Sequence, residues 1–364
     1  MDMSAVAHAV WDGTSPGARV ARACLAPGAW LFGRVVAQRN ARYDRQPVTR
    51  AALPALSVGN VTVGGTGKTP VAAWCVERLR ALGGSPAIVM RGVGDDEWRV
   101  HGLLNPGTPV VVSADRSAGM VIAKTRGADC AVLDDAFQHR RAARVADIVL
   151  MSADRWQDRV RLLPAGPYRE PLEALRRADV VLVTVKAAAS GTIEALMEAV
   201  RASAPGVPIA VARLQPGSIH LAVTLVPQDR TRPSGGAPDR ALLRHPPEWL
   251  AGRCIVAASA IGDPAAFEGQ LRALGADLRA TRRFADHHQF TAADAANLAA
   301  DAAGASGVVC TLKDAVKLVT VWPREAPPLW YLSQSVVVER GAEAMDRAVA
   351  RVLTARAAMT PTAG

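Results

Sequence analysis

The stretch that decides the fold is Leu56-Ser57-Val58-Gly59-Asn60-Val61-Thr62-Val63-Gly64-Gly65-Thr66-Gly67-Lys68-Thr69, followed by residues 70–82. Its first residues are apolar and predict a strand, whereas Val71, Cys75 and Leu79 keep the spacing of one helix face. A glycine-rich loop that ends in Gly-Lys-Thr between a strand and a helix is typical of a P-loop. The stretch therefore predicts a site for the phosphates of a nucleoside triphosphate.

Each part of this loop has a role in that interpretation. Glycines let backbone N–H groups surround the phosphates, and the start of the helix favours negative charge. Lys68 is expected to reach the β- and γ-phosphates, and Thr69 to bind magnesium. The usual first glycine is replaced by Thr62, which keeps a structural glycine turn open as the alternative. The predicted nucleotide-binding residues are Thr62, Val63, Gly64, Gly65, Thr66, Gly67, Lys68 and Thr69.

A second apolar run, residues 131–133, ends in Asp134 and Asp135. A strand that ends in carboxylates resembles a Walker-B element, in which one carboxylate holds magnesium directly or through water. The alternative is an acidic turn at the end of a strand. Because a P-loop is also present, we expect Asp134 and Asp135 to bind metal, and the predicted cofactors are ATP and Mg²⁺.

The order of apolar runs predicts an α/β fold with a P-loop NTPase-like, doubly wound parallel sheet. Continuous apolar runs indicate strands that are covered on both faces. In the first part of the chain they lie at residues 55–58, 87–90, 110–112, 131–133, 148–151, 180–185 and 209–211. After a stretch rich in Pro, Gly and Arg at 227–246, further runs lie at residues 254–258, 278–284, 308–311 and 329–332.

This pattern predicts two α/β domains with a cleft between them. The second domain is expected to be the smaller one, and 364 residues suffice for two cores. The expected organisation is an N-terminal membrane-associating helical segment at 1–45, a P-loop kinase domain at 46–225, a linker at 226–247 and a C-terminal α/β domain at 248–356.

Composition narrows the class of partner. The chain has 43 Lys and Arg against 33 Asp and Glu, a net charge of +10, which suits nucleic acid, an anionic membrane or a phosphorylated substrate. Only 4% of residues are aromatic, so the stacking pattern of single-strand binders is missing and we expect no nucleic-acid partner. The five cysteines form no CxxC pair and read as reduced thiols of a cytoplasmic protein. We expect no secretory signal and no apolar run of the roughly 20 residues that span a bilayer.

Residues 17–42 combine apolar side chains with arginines. A basic amphipathic segment that contains Trp can lie among lipid headgroups. The alternative is an ordinary surface helix pair, broken at Pro27-Gly28. The residues concerned are the apolar Val20, Cys24, Leu25, Trp30, Leu31, Phe32, Val35 and Val36 and the basic Arg19, Arg22, Arg34, Arg39 and Arg42.

Several motifs in one order resemble those of the tetraacyldisaccharide 4′-kinase family, over about residues 30–318. The first is Ser57-Val58-Gly59-Asn60, which leads into the P-loop. The others are Leu133-Asp134-Asp135-Ala136-Phe137-Gln138-His139-Arg140, Leu163-Pro164-Ala165-Gly166-Pro167-Tyr168-Arg169-Glu170-Pro171, Phe284-Ala285-Asp286-His287-His288 and Thr311-Leu312-Lys313-Asp314-Ala315-Val316-Lys317.

The resemblance implies a reaction and a place for it. The γ-phosphate of ATP would pass to the 4′-hydroxyl of a tetraacylated glucosamine disaccharide 1-phosphate, which gives the lipid A 1,4′-bisphosphate precursor. The enzyme would be a peripheral protein at the cytoplasmic face of the bacterial inner membrane. Because that substrate is an anionic lipid, the resemblance favours membrane contact through residues 17–42.

The resemblance also implies the residues that move the proton. The family carries its catalytic carboxylate in a Gly-Asp-Glu element, which aligns Asp96 as the base, with Asp95 as the alternate and a solvated acidic loop as the competing interpretation. The segment that many members carry after Arg91-Gly92 is missing here. His287 would orient and assist Asp96. The choice of His287 over His288 rests on analogy with the family.

Further family positions would line the cleft. Gln138 and His139 would face the nucleotide and the metal. Arg169 and Glu170 would line the same region or the sugar-phosphate site, although a surface salt bridge also explains Arg169.

The last motif departs from the family, because Leu312 replaces a Glu before Lys313-Asp314. In guanine recognition the Lys lies two positions before the Asp, whereas here the two are adjacent, so a GTPase is disfavoured. Two rivals remain: a P-loop kinase of a small soluble substrate, and a non-catalytic, membrane-recruited nucleotide switch.

Overall fold

The computed structural model describes residues 3–45, 51–92, 97–222, 244–286 and 288–359. Within these ranges, twelve strands form one sheet. The strands are β1 (Ala55–Asn60), β2 (Pro86–Met90), β3 (Val110–Val112), β4 (Cys130–Asp134), β5 (Ala146–Ser152), β6 (Val180–Val185), β7 (Ile209–Leu221), β8 (Arg244–His245), β9 (Cys254–Ser259), β10 (Asp277–Arg283), β11 (Val308–Thr311) and β12 (Leu329–Arg340).

The order across the sheet is β10-β9-β11-β12-β7-β6-β5-β1-β4-β2-β3, with β8 added to β7. Neighbours from β7 to β3 are parallel, and so are those from β10 to β12. The pair β7–β12 is antiparallel. The expected α/β class is confirmed, and each predicted run overlaps a strand. However, β7 and β12 extend to Leu221 and Arg340, well past the predicted ends at residues 211 and 332, and β8 matches no predicted run.

Helices cover both faces of the sheet, so β1, β2, β4 and β6 are buried along their whole length. The five cysteines are free, as expected. The described helices are α1 (Met3–Asp12), α2 (Pro16–Asp44), α3 (Lys68–Ala81), α4 (Glu97–Leu104), α5 (Arg116–Thr125), α6 (Ser190–Ser203), α7 (Pro264–Ala273), α8 (Ala292–Asp301), α9 (Leu312–Leu318) and α10 (Ala342–Met359).

The two halves of the chain share the sheet through β7 and β12, which pair from Leu221 with Trp330 to Val211 with Arg340. The last helix then returns to the first half. Met345 and Val349 of α10 join the same apolar core as Leu56 of β1. The division into domains stays a prediction, but the last part of the expected second domain packs on the first, and most of the expected linker lies outside the described residues.

Helix α2 is continuous over 29 residues and includes Pro27. The break expected at Pro27-Gly28 under the surface-pair alternative is therefore wrong. One face of α2 lies close to the segment that precedes Arg169 in the sequence. Gly28 lies against Pro164, and Gly33 lies against Leu162. Among the described helices, α2 is the one long and apolar enough to cross a bilayer, although length and composition do not distinguish a spanning helix from one on a surface.

Candidate active site

The P-loop and the Asp pair lie side by side at the carboxyl ends of β1 and β4. These strands are parallel neighbours, with Val58 in register with Asp134. In open α/β sheets this edge is where ligands bind, because loops from adjacent strands converge there. Helix α3 begins at Lys68, so its N-terminus faces the same edge.

Backbone conformation and two hydrogen bonds shape the P-loop. Gly64 and Gly67 have φ of +101° and +87°, a region that side chains other than glycine rarely adopt. Thr66 is buried, and its Oγ1 accepts from Asn60 Nδ2 at 3.0 Å. Thr184 Oγ1 donates to the Thr66 carbonyl at 2.9 Å. The loop is thus held open by contacts from β1 and β6 before any phosphate binds.

The position of Thr62 is explained by pairing with the chain near Arg169. Thr62 forms a β-bridge with Tyr168. On either side, Val63 N donates to the Pro167 carbonyl at 2.9 Å, and Arg169 N donates to the Val61 carbonyl at 2.8 Å. An extended, bridged residue does not require glycine, so the replacement of the usual glycine is compatible with a working P-loop.

Asp135, Lys68 and Arg169 form a charged cluster at this edge. Arg169 Nη1 donates to both carboxylate oxygens of Asp135 at 3.1 Å, and Lys68 Nζ lies 3.8 Å from Asp135 Oδ1. Asp135 has φ of +48°, an uncommon conformation for a residue other than glycine, and such strain concentrates at functional sites. The partly buried pair that Arg169 makes with Asp135 is therefore more than a loose surface salt bridge.

Asp134 has different surroundings. Its Oδ2 lies 2.9 Å from Nε2 of His101, a fully buried residue of α4, while Oδ1 has no hydrogen-bond partner among the described atoms. Burial opposes its ionisation, but the hydrogen bond and attraction from His101, together with the charge of Lys68, hold the pKa of Asp134 below its usual value. Asp134 is thus an anion with one buried oxygen available to a further ligand. His101 belongs to no motif, and sequence reasoning missed it.

These donors fit magnesium. Two carboxylates and the hydroxyl of Thr69, on the first turn of α3, are oxygen ligands of the kind that Mg²⁺ prefers. No group of three or more His, Cys, Asp or Glu side chains suited to a metal occurs in the described parts of the chain. That pattern suits Mg²⁺ in a kinase, since the ion usually takes its remaining ligands from phosphates and water. The unpartnered Asp134 oxygen is the observation that supports the fit.

Gln138 and His139 follow the Asp pair. Gln138 Nε2 donates to the Asn60 carbonyl at 2.8 Å, so its amide supports the end of β1. Burial, reinforced by Arg116, lowers the pKa of His139, which favours its neutral form at pH 7. Contact of either side chain with the nucleotide stays a prediction.

Glu170 is separated from Arg169, its neighbour in sequence. It is fully buried, and its Oε2 accepts from Asn40 Nδ2 at 2.8 Å and from Arg177 Nη2 at 2.9 Å. Asn40 lies on α2, so this carboxylate ties the N-terminal helix to the kinase core. Glu170 lies apart from the charged cluster of Asp135, Lys68 and Arg169, and its expected place beside the nucleotide or the sugar phosphate stays a prediction.

The residues expected to move the proton, Asp96 and His287, and the alternate Asp95, lie outside the described residues. The chain next to Asp96 is described, however. Helix α4 begins at Glu97, and its His101 contacts Asp134. The chain that leaves Asp96 therefore leads directly to the expected metal site.

The neighbours of His287 are also described. On one side, Lys313 Nζ lies 3.6 Å from Asp286 Oδ1. On the other, His288 Nε2 lies 3.1 Å from Asp294 Oδ2. Asp314 is buried and accepts from the Ala260 amide at 3.2 Å, which ties the start of α9 to the residue after β9.

Comparison with known proteins identifies the family. The sequence model of the family described as Tetraacyldisaccharide-1-P 4'-kinase matches residues 21–101 and 93–354. The chain belongs to this family. It is therefore an ATP-dependent kinase of lipid A biosynthesis that uses Mg²⁺. The two matched stretches overlap at residues 93–101.

Individual relatives agree with the family match. The chain is 34% identical to a tetraacyldisaccharide 4'-kinase of Anaeromyxobacter sp. (strain K), over 96% of each chain. It is 37% identical to that of Anaeromyxobacter sp. (strain Fw109-5), over 95% of this chain and 97% of the relative. A crystal structure of LpxK from Aquifex aeolicus in complex with ATP covers 91% of this chain and 99% of its own, at 25% identity and a TM-score of 0.68.

Proposed function

We propose that the described edge of β1 and β4 is where the γ-phosphate of ATP passes to the 4′-hydroxyl of a tetraacylated glucosamine disaccharide 1-phosphate. The observation that carries the proposal is the cluster in which Lys68 and Arg169 converge on Asp135, beside the P-loop. Phosphoryl transfer has a loose transition state, so positioned charges are the main catalytic requirement.

The remaining roles in the proposal rest on the position of Lys68, Thr69 and the Asp pair, and, for Asp96 and His287, on the family resemblance. Lys68 binds the β- and γ-phosphates, and Asp134, Asp135 and Thr69 hold Mg²⁺. When bound, the ion neutralises charge on the phosphate oxygens. Asp96 accepts the proton of the 4′-hydroxyl as its oxygen attacks phosphorus, and His287 orients Asp96.

Arg169 is well placed to hold an anionic group of the substrate. Its side chain is 28% exposed while bound to Asp135 through Nη1. The remaining N–H groups can bind phosphate or sugar oxygens, because guanidinium carries five donors.

We further propose that α2 rests on the cytoplasmic face of the inner membrane, where this lipid is met. Its outward side chains include large apolar groups: Trp30 is 68% exposed, Leu31 59% and Val35 55%. The guanidinium of Arg34 lies 5.8 Å from the Trp30 ring centroid. Exposed Trp and Leu beside arginines suit the interface of an anionic bilayer. The Asn40–Glu170 bond links this helix to the residue after Arg169.

A cavity of about 870 Å³ beneath α1 and α2 supports the lipid interpretation. Its wall includes Arg19, Arg22, Arg159, Arg161, Trp11 and Trp30. Partial burial and repulsion from Arg22 and Arg159 lower the pKa of Arg161, so positive charges crowd at this wall. A basic wall combined with tryptophan suits the polar part of an anionic lipid.

The test supplies purified protein with ATP, Mg²⁺ and the tetraacyldisaccharide 1-phosphate in detergent, and follows the lipid by mass spectrometry. We expect a product heavier by one phosphate. ATP binding without a phosphorylated lipid would favour the nucleotide switch. Phosphorylation of a soluble sugar phosphate, with the lipid unchanged, would favour the kinase of a soluble substrate.

A further inference from the structure

Arg155 is held at the carboxyl edge of the sheet by its neighbour. It ends a short 3₁₀ turn, Ala153–Arg155, directly after β5. The Asp154 carboxylate accepts from the backbone N–H groups of Lys186, Ala187 and Ala188 at 2.8, 2.7 and 2.8 Å. These three bonds fix the turn to the loop after β6, so the backbone of Arg155 is positioned before any ligand arrives.

The side chain of Arg155 extends over the P-loop. A Cβ placed on Gly64 would lie 2.5 Å from Arg155 Nη1, which means that the guanidinium occupies the space left by this glycine. On its other side, a Cβ on Gly262 would lie 3.5 Å from Arg155 Nη2. The guanidinium thus lies between the phosphate loop and the turn before α7.

Its charge is not neutralised by a direct partner. No oxygen of the described residues accepts a hydrogen bond from Arg155 or forms an ion pair with it, in contrast to Arg169, which binds Asp135. The charge of Arg155 acts on the nearby Lys186. The pKa of Lys186 is lowered mainly by burial and further by repulsion from Arg155, whereas Asp263 and Asp154 raise it. A guanidinium without an acceptor, on a positioned backbone and beside a loop built for phosphates, fits an anionic ligand.

We propose that Arg155 is a catalytic residue that donates hydrogen bonds to the β- and γ-phosphate oxygens of ATP. In the reaction, the acceptor oxygen forms a bond to the γ-phosphorus, and the bond from that phosphorus to the bridging oxygen breaks. The electron pair leaves with ADP, and the hydroxyl proton passes to the base. Arg155 keeps its protons and offsets charge on the transferring group, as arginine fingers do in other phosphoryl-transfer enzymes.

The test compares Arg155→Ala and Arg155→Lys with Arg201→Ala, a matched loss of charge on the exposed face of α6, where Arg201 pairs with Glu198. We expect kcat of Arg155→Ala to fall by about 10²- to 10³-fold. Affinity for ATP, measured by calorimetry, should fall about tenfold and affinity for ADP by clearly less, because ADP loses the bond to the β-phosphate alone. Arg201→Ala should match the wild type.

Two further measurements separate chemistry from structure. Added guanidinium should partly restore turnover of Arg155→Ala. Gly64→Ala should impair turnover in the wild type more than in the Arg155→Ala background, since the new methyl displaces the guanidinium only where it is present. If Arg155→Ala lowers ATP and ADP affinity equally, or lowers thermal stability with kcat unchanged, Arg155 is a structural link to the Gly262 turn and the proposal is wrong. If Arg155→Ala does not fold, the ratio of ATP affinity to ADP affinity is measured for Arg155→Lys instead, and the same two outcomes support or overturn the proposal.

Discussion

The P-loop edge and the outer face of α2 are both basic, but they carry their charges differently. At the edge, Lys68 and Arg169 are partly buried and converge on Asp135. On α2, Trp30 and Leu31 are well exposed, and Arg34 lies over an aromatic ring. The first surface has fixed geometry, whereas the second offers area and charge without a fixed partner.

This difference indicates two kinds of function. Fixed donors and acceptors stabilise a transition state because they need no reorganisation during the reaction. Covering an exposed apolar face with any apolar medium lowers the free energy, whatever the detailed arrangement. Such a face therefore suits a fluid bilayer. Substitutions at the edge should change turnover, and substitutions on α2 should change location.

The largest effect is expected for Asp96→Ala. Loss of the base should lower kcat by about 10²- to 10⁴-fold, with little change in ATP affinity, because the carboxylate acts on the acceptor proton. Steady-state kinetics and calorimetry measure the two quantities. Asp95→Ala is the matched control and should retain most of its turnover. The assignment is reversed if Asp95→Ala is the inactive variant.

Arg169→Lys should give the next largest loss. Lysine keeps the charge but cannot donate as a planar fork, so the contact with Asp135 and any substrate phosphate is weakened. We expect kcat/KM for the lipid to fall by about tenfold. Arg176→Lys is a control at an exposed arginine that bonds a backbone carbonyl. A wild-type value for Arg169→Lys would mean that charge alone suffices at this position.

Asp134→Asn should lower stability in a pH-dependent way. The folded pKa of Asp134 is lowered relative to about 3.9 in an unfolded chain, so its ionised form contributes stability above that pH, and the contribution is lost as pH falls through the folded pKa. In magnesium-free urea titrations, the variant should be less stable by about 1–3 kcal/mol at pH 7. That difference should shrink below about pH 4. A difference that grows on acidification would show that the pKa is raised.

The smallest effect on turnover is expected for Leu31→Ser combined with Val35→Ser, two exposed positions of α2 outside the cavity wall. Each side chain contributes roughly 1–3 kcal/mol when it leaves water, so sedimentation with anionic vesicles should drop sharply. Turnover in detergent micelles should change less than threefold, since neither residue touches the cluster. The control is Val121→Ser with Ile122→Ser, at exposed apolar positions of α5. If both double variants bind vesicles equally well, the proposal that α2 contacts the membrane is wrong.

The strands and the P-loop could be predicted because their signals are local. Continuous apolar runs mark β1 and β6, and the spacing of residues 64–69 marks the loop, whatever the rest of the chain does. Asp134 and Asp135 could be predicted because a carboxylate at the end of a buried strand is itself a local pattern.

Other features depend on contacts between distant residues. The family motif places Glu170 beside Arg169 in sequence, but it does not show that Asn40 and Arg177 hold the Glu170 carboxylate in the interior. His101 sits on a short helix with no motif, and its pairing with Asp134 depends on how α4 packs. Nothing in the sequence distinguishes Arg155 from the other arginines. Its position over Gly64 is visible only in the structure. Helix α2 continues through Pro27, although a proline inside a helix removes a backbone hydrogen bond, so this proline was a misleading local signal of a break.

The separation of chemistry from membrane contact can be measured directly. Labelled γ-phosphate is followed from ATP to the tetraacyldisaccharide 1-phosphate in detergent micelles, with Lys68→Ala and the Leu31→Ser, Val35→Ser variant side by side. We expect no labelled lipid from Lys68→Ala, which should still bind vesicles as the wild type does, and near wild-type labelling from the α2 variant. Labelled lipid from Lys68→Ala, or its absence with the α2 variant, would contradict this account.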